Sequence, residues 1–71
     1  MKRYRMEWAY FLYEAFENSD EDPEPIGILS AHEIFIVLES NGRYHKILSD
    51  TQEGWIYIAT GTLQDREVKE P

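Results

Sequence analysis

The chain has 71 residues, room for one domain and not two, and a chain this short buries only about 60% of the surface its unfolded state exposes. Fourteen Asp and Glu against seven Lys and Arg give a net charge of −7, which repels phosphate backbones and removes the counterion-release term behind most nucleic-acid binding. No cysteine is present, so neither a disulfide framework nor a thiolate metal site is available, and no apolar run approaches the roughly 20 residues a bilayer crossing needs. The expectation is a cytoplasmic protein without a signal peptide: Met1-Lys2-Arg3-Tyr4-Arg5 is basic, but Glu7, Tyr10, Tyr13 and Glu14 interrupt any apolar stretch after it.

The first segment can be read in two ways. Met6, Trp8, Tyr10 and Leu12 alternate with Glu7, Ala9, Phe11 and Tyr13, as in a strand with apolar residues on both faces. Met6, Ala9, Tyr10 and Tyr13 also fall at helical spacing. Four aromatics within six residues suit a pleated surface better, and a strand is preferred. Asn18 to Pro25 is a loop on either reading, because two prolines lack the donor a ladder needs and four acidic side chains would repel one another across a strand.

From Ile26 onward the strand signals are continuous. Ile34-Phe35-Ile36-Val37-Leu38 is a β-branched and aromatic run that stops at Glu39-Ser40-Asn41-Gly42. Asn41-Gly42 is a hairpin signal, since both residues tolerate positive φ. Tyr44 to Leu48 forms the next strand, Ser49 to Gly54 the next connection, and Trp55 to Ala59 the third strand of the meander. Thr60-Gly61-Thr62 breaks it before Leu63, and the polar tail 64–71 is expected to fray. The expected core is Leu29, Ile34, Ile36, Leu38, Ile47, Ile56 and Ile58, which puts Phe35 and Val37 on the opposite face.

The order of these signals resembles the Src-homology-3-like barrel, most closely its bacterial branch. The residues that carry the likeness are Ile26, Gly27 and Leu29; Val37, Leu38 and Glu39; Gly42, Tyr44, Lys46 and Ile47; and Gly54, Trp55 and Ile56. Leu12-Tyr13-Glu14 is similar to the Ala-Leu-Tyr-Asp start of the eukaryotic branch. The likeness covers about residues 10 to 63 and implies an all-β fold, a small five-stranded, partly open barrel. The family's Trp at the start of the third strand is replaced by Arg43 or Tyr44, depending on register. The Tyr44 register is preferred because it turns Ile47 inward and keeps the Lys46 charge out of the core. The cluster that completes a proline-peptide groove in eukaryotic members is absent, so ordinary polyproline recognition is not expected.

Catalytic and metal readings find little here. His32 and His45 accompany serines at 19, 30, 40 and 49; Glu33 adjoins His32, but neighbours in a strand point to opposite faces and cannot form a dyad. Asp20, Asp22 and Glu24 alternate like calcium-loop ligands, yet Pro25 stands where the turn glycine belongs and Ala31 where the bidentate Glu belongs. No enzyme, metal or cofactor is expected. Tyr10, Tyr13, Tyr44, Trp55 and Tyr57 are more rings than so small a core readily buries, so some must be exposed. By resemblance, the binding residues would be Tyr13, Tyr44, Trp55 and Tyr57, exposed beside the acidic loop with Asp20, Glu21 and Asp22; the alternative is that Trp55 and Tyr57 close the barrel. The partner would be a protein or peptide segment with basic residues, with no direct nucleic acid and no membrane. The alternatives are an acidic assembly or inhibitory protein that mimics nucleic acid toward a basic partner, and a cell-wall peptide binder within a larger exported protein.

Overall fold

In the computed structural model, which describes residues 1–14 and 24–69, the chain is all-β. Five strands run β1 (Tyr10–Tyr13), β2 (Pro25–Leu29), β3 (Phe35–Asn41), β4 (Tyr44–Ser49) and β5 (Glu53–Tyr57). They form one antiparallel sheet in the order β2-β1-β5-β4-β3. The sheet does not close on itself, which is the form of a small, partly open barrel.

The strand expected over residues 6–13 forms only from Tyr10 onward, and no helix competes with it among the described residues. A bend at Glu7 and Trp8 breaks the alternation: Met6 is buried whereas Trp8 is exposed. Before that bend the chain pairs elsewhere. Tyr4 exchanges two backbone hydrogen bonds with Phe35 (2.9 and 3.0 Å) and bridges Glu67 on its other side.

The core consists of Met6, Leu12, Leu29, Phe35, Ile47, Ile56 and Ile58. Leu29, Ile47, Ile56 and Ile58 were expected there, but β3 is turned over. Phe35 is buried, while Ile34 and Leu38 are exposed and Ile36 is half-buried. The reason lies in pairing. Residues directly opposite in an antiparallel ladder share a face, and Val37, not Ile36, stands opposite the inward-facing Ile47. Stacking of Tyr4 on Phe35, with centroids 5.8 Å apart, fixes the same phase. Leu38 falls in an irregularity between Val37 and Glu39, which removes it from the alternation.

The β3–β4 hairpin is one residue later than expected. Asn41 pairs with Tyr44, so Gly42 and Arg43 make the turn. Gly42 has φ +62° and Arg43 lies outside the left-handed region, the pattern of a two-residue type II′ turn with glycine first. The tail corrects a further expectation: residues 64–68 are tied down. Gln64–Arg66 forms a 3₁₀ turn, the Val68 N–H donates to the Arg3 carbonyl at 2.7 Å, and the Arg5 N–H donates to the Arg66 carbonyl at 3.1 Å.

The Arg66 side chain completes this join. Its Nε and Nη2 donate to the two Glu7 carboxylate oxygens at 3.1 and 2.9 Å, and its Nη1 donates to the Thr62 carbonyl at 3.0 Å. The Arg66 hydrogen bond holds the Glu7 carboxyl below its ordinary value. A carboxylate with a lowered folded-state pKa adds stability above its unfolded value, lost as pH falls through the folded one. Glu7→Gln should therefore flatten the acid limb of the stability curve as pH falls below the ordinary Glu value of about 4.3, read by thermal melts at each pH. At pH 7 the loss should be about 1 kcal/mol or less, because the Glu7 side chain is 37% exposed and water screens the pair.

Both long sheet edges are blunted. β2 begins with Pro25, and the Gln52 side-chain amide donates to the Ile28 carbonyl. β3 carries its irregularity and the charged Glu39. Proline, bulges and charge on edge strands oppose pairing with another chain.

Candidate functional site

The pleat sorts β4 into two sets. His45 and Ile47 stand opposite Ile56 and Gly54, on the core side; Tyr44, Lys46 and Leu48 stand opposite Tyr57, Trp55 and Glu53, on the outer side. Ile47 is buried and Lys46 is half-exposed with its ammonium 3.4 Å from Glu53, as the Tyr44 register requires. Across the other side of β5, Tyr13 pairs directly with Trp55. Tyr13, Trp55, Tyr44 and Tyr57 therefore share one face, contributed by β1, β5 and β4.

The four rings are not equally accessible. Tyr44 and Tyr57 lie 4.9 Å apart between centroids at 48°, a tilted pair with the hydroxyl-bearing rings half-buried and exposed respectively. Tyr13 is half-buried. For Trp55 the structure takes the buried alternative: it is 6% exposed, lies outside the core cluster, and has Tyr13 and Lys46 opposite it on its two neighbouring strands. It is the floor of the aromatic face.

Gly54 makes this arrangement possible. A Cβ at Gly54 would stand 3.1 Å from the Tyr13 carbonyl oxygen and 3.3 Å from Leu12 Cβ. That close approach lets β5 lie against β1, where the registered pairing is Tyr13 with Trp55.

Asp20, Glu21 and Asp22 lie outside the described residues. The two ends of their loop are described: Tyr13 pairs with Pro25, so the acidic segment leaves and rejoins the sheet beside Tyr13. Glu14 and Glu24, its first and last carboxylates, are both exposed.

Sequence reasoning missed an apolar outer patch on the same side of β1, where exposed Phe11 pairs with exposed Ile28 and Ile26 lies nearby. The signal was present: Phe11 and Tyr13 are two apart and share a face in any strand.

The histidines separate. His32 is exposed in a turn with φ +66°, its N–H donating to the Met6 carbonyl at 2.9 Å. The sequence had placed it in a strand with Glu33. His45 Nδ1 lies 2.7 Å from Ser40 Oγ across the β3–β4 ladder, and burial pushes its pKa below the ordinary value. Among the described residues no cluster of three or more His, Asp or Glu is placed to hold a metal ion, and no helix is long and apolar enough to cross a membrane.

Comparison of the chain with protein-family models, with curated proteins and with solved structures gives no match.

Proposed function

We propose that this domain is a non-catalytic interaction module that binds a partner's polypeptide segment across Tyr13, Tyr44 and Tyr57, with Trp55 as the floor and the acidic loop at one flank. The observation that supports this most is the convergence of four aromatic side chains from three strands on one face. Large rings with a polar tip supply contact area and directed hydrogen bonds at little cost in conformational entropy. A segment with apolar residues and a Lys or Arg flank fits both features, because carboxylates at the rim attract a cation without having to be desolvated. The antiparallel five-stranded architecture and the long acidic sequence between β1 and β2 are in keeping with the Src-homology-3-like resemblance. On this reading the module works in the cytoplasm, where a cysteine-free chain needs no oxidising compartment.

The test is to measure stability and binding separately in Tyr44→Ala. The residue is partly exposed, so melting should show a loss of only roughly 1 to 2 kcal/mol, from its pairing with Tyr57 and the ring area it buries. A partner isolated from the source cell should bind about 1 to 3 kcal/mol more weakly, as when an interface anchor is truncated. Unfolding of Tyr44→Ala would make the ring structural and overturn the proposal. If binding survives Tyr44→Ala but is abolished by Asp20→Asn, Glu21→Gln and Asp22→Asn together, the whole acidic surface is the binding element instead.

A further inference from the structure

The corner beneath the Tyr44–Tyr57 pair contains a titratable group that the contact face does not use. His45 follows Tyr44 on β4 and points to the opposite side of the sheet, between Ser40 on β3 and Ile56 on β5. With Gly42, Arg43, Ile58, Gly61, Thr62 and Leu63 it lines a cavity of about 310 Å³.

The charged and polar groups around that cavity can be taken element by element. β3 presents the Ser40 hydroxyl, and β5 and its continuation present Ile56 and Ile58. The 61–63 segment presents Thr62 and Leu63, and β4's own turn presents Arg43. No carboxylate is among the residues lining it, and Arg43 is a cation. An imidazolium here would lie among three aliphatic side chains with no carboxylate in the cavity lining to offset the water it loses.

The same corner is the end of a ladder. Tyr44 with Tyr57 is the last registered pair of β4 and β5, and beyond it the turn is held by the Ile58 N–H to the Arg43 carbonyl (3.0 Å) and by Arg43 Nη1 to the Ile58 carbonyl (3.2 Å). Ladder ends open at lower free energy than their middles.

We propose that the aromatic contact face is acid-sensitive: protonating His45 opens the β4–β5 end and separates Tyr44 from Tyr57, whereas neutral His45 keeps them together. This rests on the reading of that face as the binding surface, but the coupling itself needs no partner. The sign follows from burial. A histidine whose folded-state value is lowered adds its full stability above the unfolded value of about 6.5, and that stability falls as pH drops from there toward the folded value. Ser40 Oγ does not cancel the effect, because a hydroxyl can accept from Nδ1–H as well as donate to bare Nδ1.

The experiment follows the His45 ring and the Tyr44–Tyr57 ring contact by NMR from pH 8 to pH 5 on the whole chain. The His45 midpoint should lie below 6.5, and the Tyr44–Tyr57 cross-peaks should weaken with that same midpoint. In His45→Gln, which keeps a hydrogen-bonding group near Ser40 but cannot charge, the cross-peaks should persist to pH 5. His32→Asn, which tolerates the left-handed backbone, should leave the midpoint where it was. The proposal is overturned if the cross-peaks survive His45 protonation, if they fade equally in His45→Gln, or if His45 titrates at or above 6.5. Should His45→Gln fail to fold, coincidence or separation of the two midpoints in the wild-type and His32→Asn proteins decides. Absence of any binding partner would overturn the proposed function and leave these midpoints unaffected.

Discussion

Replacing Phe35 with Ala should lower stability by about 3 to 5 kcal/mol, whereas Ile34→Ser, one residue earlier in an equally apolar run, should cost roughly 1 kcal/mol or less. Phe35 is 1% exposed and stacked under Tyr4, so truncation leaves a cavity that Met6 and its neighbours cannot fill without moving. Ile34 is 39% exposed. For a domain of this size each kcal/mol is worth about 4 to 8 °C in Tm, and total stability is on the order of 5 kcal/mol. Phe35→Ala should therefore melt at least 12 °C lower, or be unfolded at room temperature, in a denaturant titration that Ile34→Ser passes nearly unchanged. The reverse order of the two variants would restore the strand phase expected from sequence.

Gly54 should be the second sensitive position, for the opposite reason: too little space. Gly54→Ala should cost about 1 to 3 kcal/mol by overpacking, and Gly54→Val more, because the atom in the way is the Tyr13 backbone oxygen and cannot swing aside. The damage should be local at first. Hydrogen exchange should rise in β1 and β2 before it rises in β3 and β4, since Tyr13–Trp55 is the registered pair joining the β1–β2 hairpin to β5. Equal loss of protection in both halves would mean that Gly54 matters to the core as a whole.

Much of the architecture was legible because several signals agreed. Asn41 and Gly42, the polar break at Ser49 to Gly54 and the apolar runs between them mark three consecutive strands, and those strands pair as β3, β4 and β5. The phase of β4 was legible because Lys46 beside Ile47 leaves one comfortable orientation. The phase of β3 was not, since all five residues from Ile34 to Leu38 are apolar and alternation among equals carries no direction. Tyr4 settles it, from 31 positions away, through a backbone bridge that no local pattern encodes. The Glu7–Arg66 join was hidden for the same reason. Two opposite charges 59 positions apart read as solubility until the fold brings them together.

The candidate site was legible in composition and in its members, less so in how they divide the work. An excess of rings for so small a core pointed to a surface, and Tyr13, Tyr44, Trp55 and Tyr57 do share a face. Whether Trp55 lines the surface or closes the barrel stays open in the sequence, because its burial depends on what stands on both neighbouring strands and not on the residue.

The N-terminal segment around Tyr4 lies between β3 and Glu67, with Glu7 gripped by Arg66. During synthesis this has a temporal meaning. The hairpin of β3 and β4 can form as soon as both strands have left the ribosome, but Tyr4 and Glu7, made before any of the strands, must wait for Arg66 and Glu67 before their seam can close. Contacts of such long sequence separation form late and slowly. Until then the segment that stacks on Phe35 is held on one side only, which makes the interval before Arg66 and Glu67 emerge the time when this chain most needs to be kept apart from its own copies.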